Sequence, residues 1–199
     1  MATTDSPVDQ GTVEEIIAQW PDEPTGIAEQ MMEKYGEPHE AAPSELLWHD
    51  TGPWKRTELY RDGVPHHFPK KHADYLKQVI DYYAPPEKLD ELGQFDGSVY
   101  VDRTNGELAA KCDQEAANFL AVNLAHEIVV GEKSVEEARQ AYAEAMVMAE
   151  MDEPPETTQS LQFEVAEGDE RDPDETIITD ELKQQVQERM GGGAEAEGE

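Results

Sequence analysis

Three histidines fall within seven residues, at His66, His67 and His72, and Asp74 follows two positions later. Imidazole is a good transition-metal ligand, and a carboxylate completes or orients such a site. His66, His72 and Asp74 are therefore the candidate metal ligands, with His49 next in line. The competing reading is plain. Pro65 and Pro69 bracket the first two histidines, and loop histidines beside prolines serve as turn residues. The spacing is not a helical i, i+4 pair, and no His-Glu-x-x-His motif accompanies it.

A second constellation is basic. From Pro53 to Lys77 the bases Lys55, Arg56, Arg61, Lys70, Lys71 and Lys77 outnumber the acids Glu58, Asp62 and Asp74 two to one, in a chain of net charge −31. Trp54 and Tyr60 supply aromatic faces beside them. Lys55, Arg56, Arg61, Lys70 and Lys71 are the candidate surface for a small anionic ligand or an acidic protein partner. Strand alternation would put Lys55 and Arg61 on one side, with Trp54 and Arg56 on the other. The alternative is that these bases neutralise acids of the same domain.

Other reactive groups are less persuasive. Cys112 lies before a predicted helix start, where a thiol pKa can fall. A nucleophile still needs a base and an oxyanion site, and His126 lies about four helical turns away, so a buried inert cysteine is expected. Asp102, Arg103 and Glu107 flank an Asn-Gly turn and read as cross-hairpin ion pairs. No phosphate-cradling glycine loop, Gly-x-Ser-x-Gly elbow or Cys-x-x-Cys pair is present, and no cofactor is implied.

The elements that must position these residues follow from periodicity. Thr12 with Glu15 forms a capping box for a helix carrying Val13, Ile16, Ile17 and Trp20. A second helix is expected from Thr25 to Tyr35, ended by Gly36. Strands 45–49 and 54–61 flank the turn Asp50-Thr-Gly-Pro53, and Asp62-Gly63 closes the hairpin. The proline-bracketed stretch from Val64 to Pro69 is expected to be irregular. Tyr75, Leu76, Val79 and Tyr83 suggest a helix over 71–83, and a short helix is expected to follow Pro85-Pro86 through Leu92. Asn105-Gly106 is the favoured pair for a two-residue type I′ turn in a second hairpin. Asp113 should cap a strongly apolar helix ending near Gly131, and Ser134 with Glu137 should cap the next.

Residues 1–11 are polar and read as disordered. The compact domain spans 12–151. Residues 152–199 form an acidic, largely flexible extension, since 150–199 holds 17 acids and three bases. Leu161, Phe163 and Val165 alternate like one strand, and Leu182, Val186 and Met190 suit a short helix. The fold class expected is α+β: a small antiparallel sheet from two hairpins, with helices on one face.

Acids number 46 against 15 bases, spread along the chain. Such a pervasive surplus suits a salty cytoplasm, where screening relieves self-repulsion. It disfavours coating of DNA or RNA, because phosphate contacts need a basic face. No apolar run of membrane-spanning length and no secretory leader is evident.

The runs Gly52-Pro-Trp-Lys-Arg-Thr57, Val64-Pro65-His66, Phe68-Pro69, Asp96-Gly-Ser-Val99, Asp102-Arg-Thr104 and Asn118-Phe-Leu-Ala-Val-Asn-Leu124 resemble an uncharacterised family of small prokaryotic hypothetical proteins. That resemblance implies no activity. The helix ending in Lys34-Tyr-Gly-Glu-Pro38 before an aromatic hairpin is similar to small helix-plus-sheet modules of outer-membrane assembly lipoproteins, which are interaction modules. The function expected is a soluble, non-catalytic interaction or accessory module of a halophilic cytoplasm. The alternative is a metal- or anion-dependent enzyme using His66, His72, Lys55 and Arg56.

Overall fold

A computed structural model of the chain describes residues 6–166 and 168–191. Residues 1–5 and 192–199, for which the sequence predicts disorder, lie outside that range. Helix α1 (Gln10–Ile17) is capped by Asp9, whose carboxylate accepts the Thr12 amide at 3.1 Å, and not by the expected Thr12–Glu15 box. A carboxylate one turn upstream satisfies a free amide of the first turn and adds a favourable charge at the helix start. Helix α2 (Asp22–Tyr35) begins directly after Pro21 rather than at Thr25. Its Pro24 sits in the first turn, where a missing N–H breaks no helical bond. Gly36, at φ +80°, ends it.

Six antiparallel strands follow: β1 (Glu40–Ala42), β2 (Glu45–Thr51), β3 (Trp54–His66), β4 (His72–Asp81), β5 (Val99–Asp102) and β6 (Glu107–Cys112). Their order across the sheet is β1-β2-β3-β4-β6-β5. The expected α+β class holds, with a larger sheet than two hairpins would make.

The main correction is β4, which replaces the helix expected over 71–83. Its core-facing positions are Asp74, Leu76, Gln78 and Ile80, all buried. Two of these four are polar, so the period of two is hidden and Tyr75, Leu76, Val79 and Tyr83 mimic a helical face. Strand β3 is also longer than expected. It runs through Asp62-Gly63 with a register shift between Leu59 and Val64, and Pro65 pairs with Ala73. Pairing of β3 with β2 stops at Tyr60, so beyond it β3 has a free edge where proline removes no ladder bond.

The second hairpin forms, but its last pair is Asp102–Glu107. Its loop therefore has four residues, not two, and of Asn105 and Gly106 only Gly106 has positive φ, at +63°. Asp102 organises this loop by accepting the Asn105 amide at 3.2 Å and its side-chain nitrogen at 2.8 Å.

Helix α3 (Leu89–Phe95) follows a single 3-10 turn after Pro85. Helix α4 (Glu115–Val129) starts after Gln114, not Asp113, and α5 (Val135–Glu150) carries the expected Ser134–Glu137 capping box. Leu46, Trp48, Leu59 and Leu76 pack with Val13, Ile17, Ile27 and Met31 beneath α1 and α2. Ile80, Val99, Leu108 and Ala110 pack with Phe119, Leu120, Leu124 and Tyr142 of α4 and α5. The strand register places these sheet residues on one face, so the helices cover that face in two adjoining halves.

No strand forms over 161–165. Leu161, Phe163 and Val165 pack half-buried against the core in irregular backbone. Asn123 of α4 holds this segment, donating to the Thr157 and Ser160 carbonyls at 3.0 and 2.9 Å and accepting the Gln162 amide at 2.7 Å. Each of those backbone groups finds a side-chain partner instead of a strand partner. Helix α6 (Asp180–Gly191) ends the described chain, with Leu182 and Val186 at least one-third exposed. No helix among the described residues is long and apolar enough to cross a membrane.

Candidate metal centre

The β3–β4 hairpin ends by pairing His66 with His72, their ring centroids 4.9 Å apart. Asp74 follows two residues along β4 and so shares a face with His72. This is the face the helices cover, and Asp74 is 2% exposed. Adjacent β6 brings Cys112, which pairs with Leu76 at its end, onto the same face. The turn after α3 adds Asp96 and Ser98. One potential ligand atom from each of His66, His72 and Asp74 lies within 4.8 Å of the other two.

Hydrogen-bond direction fixes much of the chemistry. His72 Nδ1 lies 2.8 Å from the Lys70 carbonyl oxygen, which can only accept. Nδ1 therefore carries a proton, and in the neutral ring Nε2 presents its lone pair. That lone pair faces Asp74 Oδ1 at 3.0 Å and Cys112 Sγ at 3.4 Å. A lone pair and a carboxylate oxygen at 3.0 Å repel unless a proton or a cation lies between them.

His66 lies between two carboxylates, with the Ser98 hydroxyl also 3.3 Å from its Nδ1. Its Nδ1 is 3.3 Å from Asp74 Oδ1, and its Nε2 is 3.4 Å from Asp96 Oδ1. The second oxygen of Asp74 accepts from the Ser98 hydroxyl. Ser98 also donates its amide to Asp96 Oδ1 at 2.8 Å. Burial, foremost, raises the Asp96 carboxyl pKa, and the Asp74 charge adds to it against the opposing Ser98 amide and His66. Burial likewise pushes the Cys112 thiol well up, with Asp113 adding to it.

The other histidines stand apart. His67 is exposed. His49 pairs with Glu40 at 2.8 Å. His126 is the partnered, half-buried residue expected, stacked on Phe163 at 4.0 Å and 3.0 Å from the Tyr82 hydroxyl.

The basic residues are spread among local acids. Lys55 reaches Asp81 at 2.6 Å and Glu107 at 3.1 Å. Arg56 holds Glu107 with two parallel bonds of 3.2 and 3.1 Å and also reaches Glu58. Lys55 and Arg56 thus meet at Glu107 rather than turning apart. Arg61 pairs with Asp62 at 2.6 Å, and Lys70 with Glu150 at 2.5 Å. Lys71 is exposed and makes no ion pair among the described residues. Trp54 turns inward, donating to Glu115 at 2.7 Å.

Sequence reading picks out His66, His72 and Asp74, and misses Asp96, Ser98 and the contact between Cys112 and His72. The last pair is 40 residues apart, and no local spacing signals it. Together the elements define an α+β protein with one six-stranded antiparallel sheet, helices on one face and a His-His-Asp cluster at a hairpin end. No protein-family model, no curated protein and no solved structure matches the chain.

Proposed function

We propose that this chain binds a divalent transition-metal ion through His66 Nδ1, His72 Nε2 and Asp74 Oδ1. The supporting observation is that these three atoms converge while the far atom of each side chain has its own partner. Asp96 Oδ1 lies 3.4 Å from His66 Nε2, the Lys70 carbonyl receives the His72 Nδ1–H, and Ser98 donates to Asp74 Oδ2. Such outer partners fix ring orientation and tautomer in metal sites. Ligands about 2.0–2.1 Å from a tetrahedral ion lie about 3.3 Å from one another, close to the 3.3 and 3.0 Å separations from Asp74. Nitrogen and carboxylate donors suit a zinc-class ion better than calcium or magnesium.

This reading keeps the expected non-catalytic role and the acid-rich chain suited to high salt. It leaves Lys55 and Arg56 out of the site, since both are committed to carboxylates on β4 and β6. The resemblance to small prokaryotic hypothetical proteins adds no activity to it. Isothermal titration of the chelator-stripped full chain with zinc should show one ion bound per chain. His72→Ala and Asp74→Ala should each weaken binding by more than about 100-fold, beyond the 10–100-fold typical of losing an outer partner. Absence of stoichiometric binding, or unchanged affinity in both variants, would overturn the proposal.

A further inference from the structure

We infer that α6 of one chain docks into an apolar groove on a second copy of the same chain. Every residue from Pro173 to Met190 is exposed, so no side chain of α6 is buried among the described residues. An isolated helix of about 12 residues is marginal in water, and most helical stability in proteins comes from packing an amphipathic face. α6 has 12 residues. Its Leu182, Val186 and Met190 recur every four residues and share one face, and Ile177 and Ile178 lie just before it, 82% and 65% exposed. Lys183 and Arg189 flank that stripe, each about 60° from its centre, whereas Asp180, Glu181 and Glu188 fall at least about 120° away. Among the described residues Lys183 pairs with Asp180 of its own helix at 2.8 Å, an exposed contact worth little.

The groove lies where the 156–165 segment crosses the body. Tyr35, Pro53, Phe119, Leu161, Phe163 and Val165 line it, and its volume is about 570 Å³. Lys34 also borders it, but that charge is already taken by Glu115. Glu156 and Glu164 stand exposed along the outer side of the same segment, beside Leu161 and Phe163. The groove is thus apolar within and acidic at its rim, and α6 is apolar on one face with basic flanks. An amphipathic helix laid into such a groove is a recurring mode of recognition, and the stripe from Leu182 to Met190 covers about two turns, or about 12 Å. Both halves of the match belong to one chain, yet α6 stands away from its own groove. Exchange between two copies fills both grooves at once, so one association makes two contacts in a closed two-fold pair. Molar salt lets two chains of net charge −31 approach, because screening shortens their repulsion to about 3 Å.

Sedimentation equilibrium of the full chain in molar KCl should show the mass rising from one chain to two as concentration increases. Val186→Asp should weaken that pairing by about 100-fold, since each groove would have to bury a carboxylate. Val186 is exposed within its own chain, so the variant should melt with the wild type. The groove is located separately by titrating isotope-labelled Val186→Asp chain with an unlabelled peptide of residues 175–191. Backbone amide signals of Gly52, Phe119 and Leu161 should shift. A wild type that keeps the mass of one chain at every concentration would overturn the proposal, and so would a Val186→Asp chain that pairs as tightly as the wild type. Peptide-induced shifts confined to residues outside the groove would overturn it as well. Docking of α6 into the groove of its own chain would appear as a one-chain mass with groove amides that differ between wild type and Val186→Asp, and would overturn the assignment to a second copy.

Discussion

Glu115 gathers four donors from three elements although it is nearly buried. Trp54, Tyr35 and Gln78 reach Oε1 at 2.7, 2.6 and 3.1 Å, and Lys34 reaches Oε2. Burial alone would raise its pKa, but Lys34, Tyr35, Trp54 and Gln78 outweigh burial, and the carboxyl sits below its ordinary value of 4.5. It therefore stabilises the fold fully above about pH 4.5, where the unfolded chain is also ionised, and that stability is lost as pH falls through the lower folded value. Glu115→Ala leaves those donors unpaired and should cost about 2–4 kcal/mol at pH 7. Chemical denaturation at pH 7 and pH 3.5 checks both parts, because the penalty should shrink on acidification. A pH-independent penalty would assign the effect to packing instead. Residues of this kind escape sequence reading. Glu115 looks like an ordinary acid in the first turn of a helix until distant elements bring its partners.

Elements were legible where one face is apolar. The Ser134–Glu137 box, the apolar run of α4 and the strand pair on either side of Gly106 are readable because local chemistry and tertiary role agree. β4 was not, because Asp74 and Gln78 occupy core-facing positions to serve the His66–His72 cluster and the Glu115 carboxylate. The residues that make the interior polar thus erased the pattern that would have revealed the strand. Segment 156–165 was half legible: Leu161, Phe163 and Val165 read as one strand in a largely flexible extension, but they pack against the core in irregular backbone and Asn123 takes the place of a ladder. Asn123 is 3% exposed and makes three bonds to that segment. Asn123→Ala should free it at a cost of about 2–3 kcal/mol. Cleavage by a Glu-specific protease at Glu156 and Glu164 should then become fast while α4 and α5 stay protected. Equal cleavage rates in the two proteins would show that Leu161 and Phe163 hold the segment by apolar packing alone.

Across the whole molecule, 46 acids against 15 bases leave a net charge of −31, and many of the bases are consumed in local ion pairs. Repulsion among the remaining acids should relax as screening shortens its range from about 10 Å at 0.1 M salt to about 3 Å at 1 M. Unfolding temperatures should rise steeply from low to molar KCl, and a flat response would remove the case for adaptation to a salt-rich interior. Metal binding is linked to stability on this same scale, since the hairpin end that unites β3, β4 and β6 forms only in the folded chain. An ion held at a hundred times its dissociation constant adds about 2.7 kcal/mol, about 5–10 °C for a chain of this length. The most direct measurement is thermal unfolding of the full chain in fixed molar KCl, with zinc and with excess chelator. The wild type should melt about 5–10 °C higher with zinc, and His72→Ala should show no such difference. Identical melting of the wild type in zinc and in chelator would contradict a metal centre at His66, His72 and Asp74.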